Sequence, residues 1–217
     1  CIKRIIKLGL PPFVQTAIHS SISMVLTRFI ANFGDVAVAV LNIGTQIESI
    51  TWLSAEGFGS AISAFMGQNF GAKKTNRIKQ GYKKGIQILG TIGFFSSLLL
   101  IVGARSLFRI FTPDDPVAIR EGIHYLRILG LSQFFMATEI GTAGAFNGLG
   151  KTVPPTLIGV IFNLLRIPMA LVLSSTNLGL LGIWWAISLS SMIKGTVSPL
   201  IYYHMINNKL CHLVENN

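Results

Sequence analysis

The chain has 217 residues, 51% apolar and only 12% charged, with a mean hydropathy of +0.60. A water-soluble domain carries about 25% charged residues, which argues against an ordinary cytosolic enzyme. The 18 Lys and Arg outnumber the 8 Asp and Glu for a net charge of +10. Yet these cations flank long apolar runs instead of covering a polar face, a membrane pattern and not a nucleic-acid one.

A bilayer core about 30 Å thick needs about 20 mostly apolar helical residues. Six stretches meet that need, at 8–33, 36–66, 85–103, 123–147, 153–174 and 182–205. The expected fold is therefore all-α, residues 1–217 forming a single six-helix transmembrane lobe of a polytopic protein. Turn signals separate the spans: Asn32 to Asp35, the lysine-rich connection from Gly67 to Lys84, Thr112 to Pro116, Gly148 to Thr152, and Ser174 to Gly179. The second and fourth spans are long enough to tilt or bend, and Gly67-x3-Gly71 and Gly144-x3-Gly148 would admit a close helix neighbour.

Charge asymmetry sets the orientation. Eleven Lys and Arg fall on one side, from Lys3, Arg4 and Lys7 through the 73–84 cluster to Lys151 and Lys209, whereas the opposite loops hold Arg105 and Arg109. Both termini and the 67–84 connection are thus expected in the cytoplasm of a cell membrane protein. There the two cysteines, Cys1 and Cys211, would stay reduced. The chain opens Cys-Ile-Lys-Arg with no initiator Met and no signal pattern, as a piece of a longer polypeptide would.

An ionisable group inside lipid is costly, so each one is a candidate for function. Glu48 and Glu56 fall on the second span and Glu139 on the fourth. Ser132, Phe135, Thr142 and Phe146 stand at i−7, i−4, i+3 and i+7 from Glu139, on one helix face. A carboxylate among rings and hydroxyls could hold an organic cation or accept a proton. Glu48 precedes Trp52 at i+4, a comparable pair, and Gln15, His19 and Ser23 form a polar stripe on the first span. His19 is a possible proton relay. Arg166 and Lys194 are also intramembrane and are read as structural polar groups that could neutralise a glutamate. Glu139→Gln and Glu48→Gln are expected to impair the function these carboxylates serve while leaving folding intact.

Other chemistry has little support. Gly144 to Thr152 misses the phosphate-loop spacing by one residue, with Ala145 where the first glycine is required. There is no HExxH or GxSxG pattern, so no enzyme, metal site or resident cofactor is expected. The 73–84 segment could meet anionic lipid headgroups or serve only as the inside anchor of the topology.

Several segments together resemble the carboxy-terminal half of the multidrug and toxic compound extrusion (MATE) transporters. They are Leu8-Gly9-Leu10-Pro11-Pro12, Gly67-Gln68-Asn69-Phe70-Gly71-Ala72-Lys73, Phe146-Asn147-Gly148-Leu149-Gly150-Lys151-Thr152, and Arg166-Ile167-Pro168 followed by Gly179 to Trp184. The resemblance implies helices seven to twelve of a twelve-helix exporter built from two lobes, with an amino-terminal six-helix lobe outside this chain. It implies antiport of amphipathic, often cationic, drugs or metabolites against sodium ions or protons. Where many members carry an acid eight residues after the leading proline, this sequence has His19. Where others place an acid about twelve residues before the glycine turn it has Met136, with Glu139 one turn further in. The Gln46-Ile47-Glu48 segment is similar to a variant with an acid on the second helix.

The sequence therefore points to one lobe of a secondary antiporter in the lipid bilayer. Glu48 and Glu139 would supply charge, Glu56, His19 and Gln15 would be further polar candidates, and Trp52, Phe135 and Phe146 would be apolar walls. A lipid-linked saccharide flippase of related architecture is the nearest alternative, although its pyrophosphate cargo calls for a cationic cavity and these spans carry both signs. A non-transporting truncated remnant is the other.

Overall fold

The structure is a computed structural model that describes the backbone of residues 2–215 and the side chains of residue 6 and residues 8–205. The side chains of Cys1, Cys211, Lys3, Arg4, Lys7 and Lys209 lie outside the described residues. Seven helices run in order: α1 (Ile2–Ala31), α2 (Asp35–Gly71), α3 (Thr75–Phe111), α4 (Pro116–Gly130), α5 (Gln133–Gly148), α6 (Val153–Ser174) and α7 (Leu180–Glu215). Among the described residues, α2, α3, α6 and the Leu180–Met205 part of α7 are long and apolar enough to cross a membrane.

The helix ends follow local chemistry. Asp115 caps α4, its Oδ1 accepting from the N–H groups of Val117 and Ala118 at 3.0 and 2.9 Å, with Pro116 in the first turn. The ends of α2 and α5 close alike. Lys74 N–H donates to the Asn69 carbonyl and Lys151 N–H to the Phe146 carbonyl, both at 2.9 Å. Each closure puts one residue in the left-handed region, Lys73 at φ 57° and Gly150 at φ 70°. The Gln68-Asn69-Phe70-Gly71 segment and the Gly150-Lys151-Thr152 turn are thus a pair of equivalent helix stops.

The stretch 123–147, read from sequence as one span, is two helices. The bend lies at Leu131 and Ser132, where Ser132 N–H donates to the Leu129 carbonyl at 3.0 Å in a tightened turn. Neighbouring helices satisfy carbonyls that this bend exposes. Ser97 of α3 donates to the Gly130 carbonyl at 2.6 Å, and Ser188 of α7 donates to the Ile128 carbonyl at 2.9 Å. In an apolar medium a broken helix needs such partners, and sequence periodicity alone does not show a hydroxyl arriving from 33 or 60 residues away.

Helix α5 is central, packed against α2, α3 and α7, while α6 lies against α7 and α1. The α2–α5 crossing is built on small residues. A Cβ at Gly144 would overlap the Gly59 carbonyl, and one at Gly148 would overlap the Ser63 carbonyl. The stripe on α2 is therefore Gly59, Ser63 and Gly67, and the expected Gly71 takes no part, with nothing within 4 Å of its Cβ position.

Two apolar cores result. One gathers Ile30, Val40, Phe108, Tyr125 and Trp184 at one end of the bundle. The other gathers Met66, Ile78, Leu89, Phe146 and Tyr202 at the opposite end. Between them runs a belt of buried polar groups, among them Thr51 on α2, Gln133 and Thr138 on α5, Asn163 on α6, and Ser190, Ser191, Lys194 and Ser198 on α7. Gly144→Ala is expected to cost about 1–3 kcal/mol by overpacking, whereas Gly71→Ala should change stability by less than about 0.5 kcal/mol. Thermal melting of the two variants of the intact polypeptide in detergent checks this.

Candidate functional site

The polar belt brings together residues from five helices. Lys194 Nζ of α7 lies 3.3 Å from Glu139 Oε2 of α5, with side-chain exposures of 8% and 14%. On α6, Arg166 reaches across to α7, its Nε donating to Ser190 Oγ at 2.7 Å and an Nη donating to Ser191 Oγ at 2.9 Å. Both carboxylates, Glu139 and Glu48, act electrostatically on Arg166. A buried Lys194 and a half-buried Arg166 thus face two carboxylates. Such a set survives out of water only because each charge has an opposite neighbour or hydrogen bonds.

The two carboxylates are held differently. Glu139 has an ion-pair partner within 4 Å, whereas Glu48 faces the Tyr125 hydroxyl and the Gln133 amide. One Glu48 oxygen, Oε1, is buried with no hydrogen-bond partner, as is Oε1 of Gln133, itself only 1% exposed. Two buried acceptor oxygens without a hydrogen-bond partner thus belong to side chains that face each other across α2 and α5. An added proton or small cation there would relieve the deficit.

His19 of α1 interacts electrostatically with Arg166, Lys194 and Glu139 but is itself exposed, so it stands at the open edge of the cluster. Gln15, one turn earlier, packs on Gly159 of α6, where a Cβ would overlap its amide. Trp52 is 43% exposed one turn beyond Glu48 on α2. Phe135 is half-buried at the α5–α7 contact, its carbonyl accepting from Thr138 Oγ1 at 2.9 Å and its backbone lying against Gly195.

Two candidates fall elsewhere. Phe146, although on the Glu139 face by helical count, is 1% exposed and packs edge-on to Tyr202 with ring centroids 5.0 Å apart. Tyr202 in turn stacks on Tyr82 at 3.9 Å. Two turns of helix, about 11 Å, carry Phe146 out of the polar belt into an apolar core. Glu56 is exposed, two turns from Glu48 and rotated away from the buried stripe of α2.

Tyr125, Gln133, Ser190 and Ser191 carry no charge at neutral pH, so the signal that marks Glu48, Glu139, Arg166 and Lys194 inside apolar runs does not mark them. Uncharged hydrogen-bonding side chains inside predicted spans were the available signal. In a bundle, the partners of a buried charge come mostly from other helices.

Comparison with known proteins places these features in a family context. The MatE family profile matches residues 11–172. The chain is 29% identical over 206 residues to the probable multidrug resistance protein NorM of Thermotoga maritima, covering 92% of this chain and 43% of that protein. It is 27% identical to the probable multidrug resistance protein YoeA of Bacillus subtilis, over 83% of this chain and 39% of that protein. Among solved structures, a MATE protein in a bent conformation superposes with a TM-score of 0.90 at 20% identity, over 98% of this chain and 47% of that one. A Pyrococcus furiosus MOP superfamily transporter described as having a binding pocket of reverse polarity superposes at 0.86 and 22% identity, over 94% of this chain and 46% of that one. The chain spans about half the length of the relatives it matches.

The Lys194–Glu139 pair alters the expectation that Glu139→Gln spares folding, because it would leave Lys194 buried beside a neutral amide. Lys194→Met and Glu139→Gln are each expected to lower stability by about 3–5 kcal/mol, and the double variant by clearly less than their sum. A double-mutant cycle on thermal unfolding checks the coupling.

Proposed function

Because the chain belongs to the MatE family of membrane transporters, which are not enzymes, we propose that it forms the carboxy-terminal six-span lobe of a secondary antiporter. Its cargo would be amphipathic organic cations, drugs or metabolites, moved outward in exchange for sodium ions or protons. An amino-terminal lobe would complete the pathway, with both ends of this chain in the cytoplasm and the assembly in the cell membrane.

The observation that carries this reading is the open oxygen of Glu48 inside a charge-balanced belt. With Arg166 and Lys194 set against Glu48 and Glu139, the cluster is close to neutral, so one added cation changes its charge and its fit. A proton or sodium ion taken at Glu48 would satisfy Oε1 and loosen the electrostatic hold on Arg166. A cationic substrate near Trp52 and His19 would compete for the same negative charge. Competition of this kind couples two fluxes without requiring both ligands at once. At 100 mV, each charge carried across is worth about 2.3 kcal/mol, enough for an appreciable substrate gradient. The balanced signs fit a cationic cargo better than a pyrophosphate-linked saccharide, which calls for a net positive cavity.

Cells expressing the complete reading frame that contains this chain are expected to expel a fluorescent lipophilic cation in a gradient-dependent way. Glu48→Gln should reduce that efflux by roughly 10-fold or more at matched membrane abundance, the scale of losing one essential charge. The arms with sodium omitted and with a proton uncoupler identify the driving ion. Efflux unchanged by Glu48→Gln would move coupling out of this cluster.

A further inference from the structure

α2 and α3 form an antiparallel hairpin with a groove of about 450 Å³ along its seam. Gly81 and Gly85 of α3 form its floor, since Phe65 and Ile62 of α2 occupy the space where their Cβ atoms would lie. The walls toward the bundle centre are apolar, with Phe58 of α2 45% exposed and Ile88 of α3 50% exposed. Toward the hairpin turn the lining changes to Arg77, Gln80 and Lys84.

The spacing produces this gradient. Arg77, Gly81, Lys84 and Ile88 stand at i, i+4, i+7 and i+11 on α3, one face of the helix. About 16 Å of helix axis therefore runs from cation to aliphatic side chain along a single groove. Arg77 and Lys84 are exposed, and among the described residues neither has a carboxylate within 4 Å. Lys79 and Lys83 belong to the same basic segment but do not line the groove.

We propose that this groove is a binding site for an anionic phospholipid. Its phosphate would lie between the Arg77 guanidinium and the Lys84 ammonium, and one acyl chain would run past Gly81 and Gly85 toward Phe58 and Ile88. Charge complementarity and the polar-to-apolar order select this occupant. Arginine engages phosphate in a fork and lysine as a point charge, and the apolar trough matches a hydrocarbon tail attached to the same headgroup. A soluble phosphate would use only the cationic end. The site is separate from the buried belt and independent of the antiport reading.

The test is native mass spectrometry of the complete polypeptide in detergent, titrated with phosphatidylglycerol, phosphatidylcholine or glycerol phosphate. Phosphatidylglycerol is expected to bind, with the other two at background. Arg77→Gln with Lys84→Gln should weaken it roughly 10-fold or more, while Lys79→Gln with Lys83→Gln, an equal charge loss on the same helix, should leave it within about twofold. Ala61→Phe, which fills the trough without changing charge, should also weaken binding. Equal losses from both charge pairs, or no effect of Ala61→Phe, would reduce the interaction to general surface attraction and overturn the site. So would glycerol phosphate binding as well as the lipid, or an absence of phosphatidylglycerol binding to the wild type.

Discussion

The ion pair between Lys194 and Glu139, 3.3 Å apart and almost closed to solvent, is the interaction on which the arrangement of the lobe depends. Taking either charge from water into an apolar bundle costs several kcal/mol even after relaxation, so neither residue could hold its place without the other. Their pairing fixes α5 against α7, and Arg166 adds α6 to α7 through Ser190 and Ser191. The polar belt thus clamps three helices at one level, with an apolar core above and another below. Within that clamped belt, Glu48 is the carboxylate whose pairing is left open.

The bend between α4 and α5 belongs to the same design. It brings Gln133 into the belt immediately after the break and carries Tyr125 into the core on the other side of it. An unbroken helix would place these residues in a different relation to Glu48. The carbonyls at the bend are satisfied by Ser97 and Ser188, so the interruption is a supported feature and leaves those groups satisfied in a medium without water. The satisfied carbonyls at the bend and the open Glu48 oxygen belong to different helices, linked through Tyr125 and Gln133 on either side of the break.

Much of this architecture was legible in the sequence, because in a bilayer length and apolarity decide which segments are helices. The positions of the turns followed from Gly, Pro and Asp signals, and the quoted segments carried the family likeness. The charged members of the site were also legible, since Glu48, Glu139, Arg166 and Lys194 are exceptions inside apolar runs. What the sequence could not supply was partnership. That Lys194 pairs with Glu139 and not Glu48, that Phe146 turns into an aromatic cluster with Tyr202 and Tyr82, and that Gly59 and not Gly71 meets Gly144 all depend on how helices distant in sequence cross. Helical counting finds which residues share a face, but not what that face meets.

The most direct measurement of the central claim is ion release when cargo binds. Purified complete transporter in weakly buffered detergent solution would be mixed with a lipophilic cation while proton and sodium activities are recorded. If cargo and coupling ion compete for the belt, binding should release about one cation per transporter, as expected for one shared charge site, and Glu48→Gln should bind cargo with no release. The same release from Glu48→Gln as from the wild type would contradict the account and place the exchanged ion elsewhere.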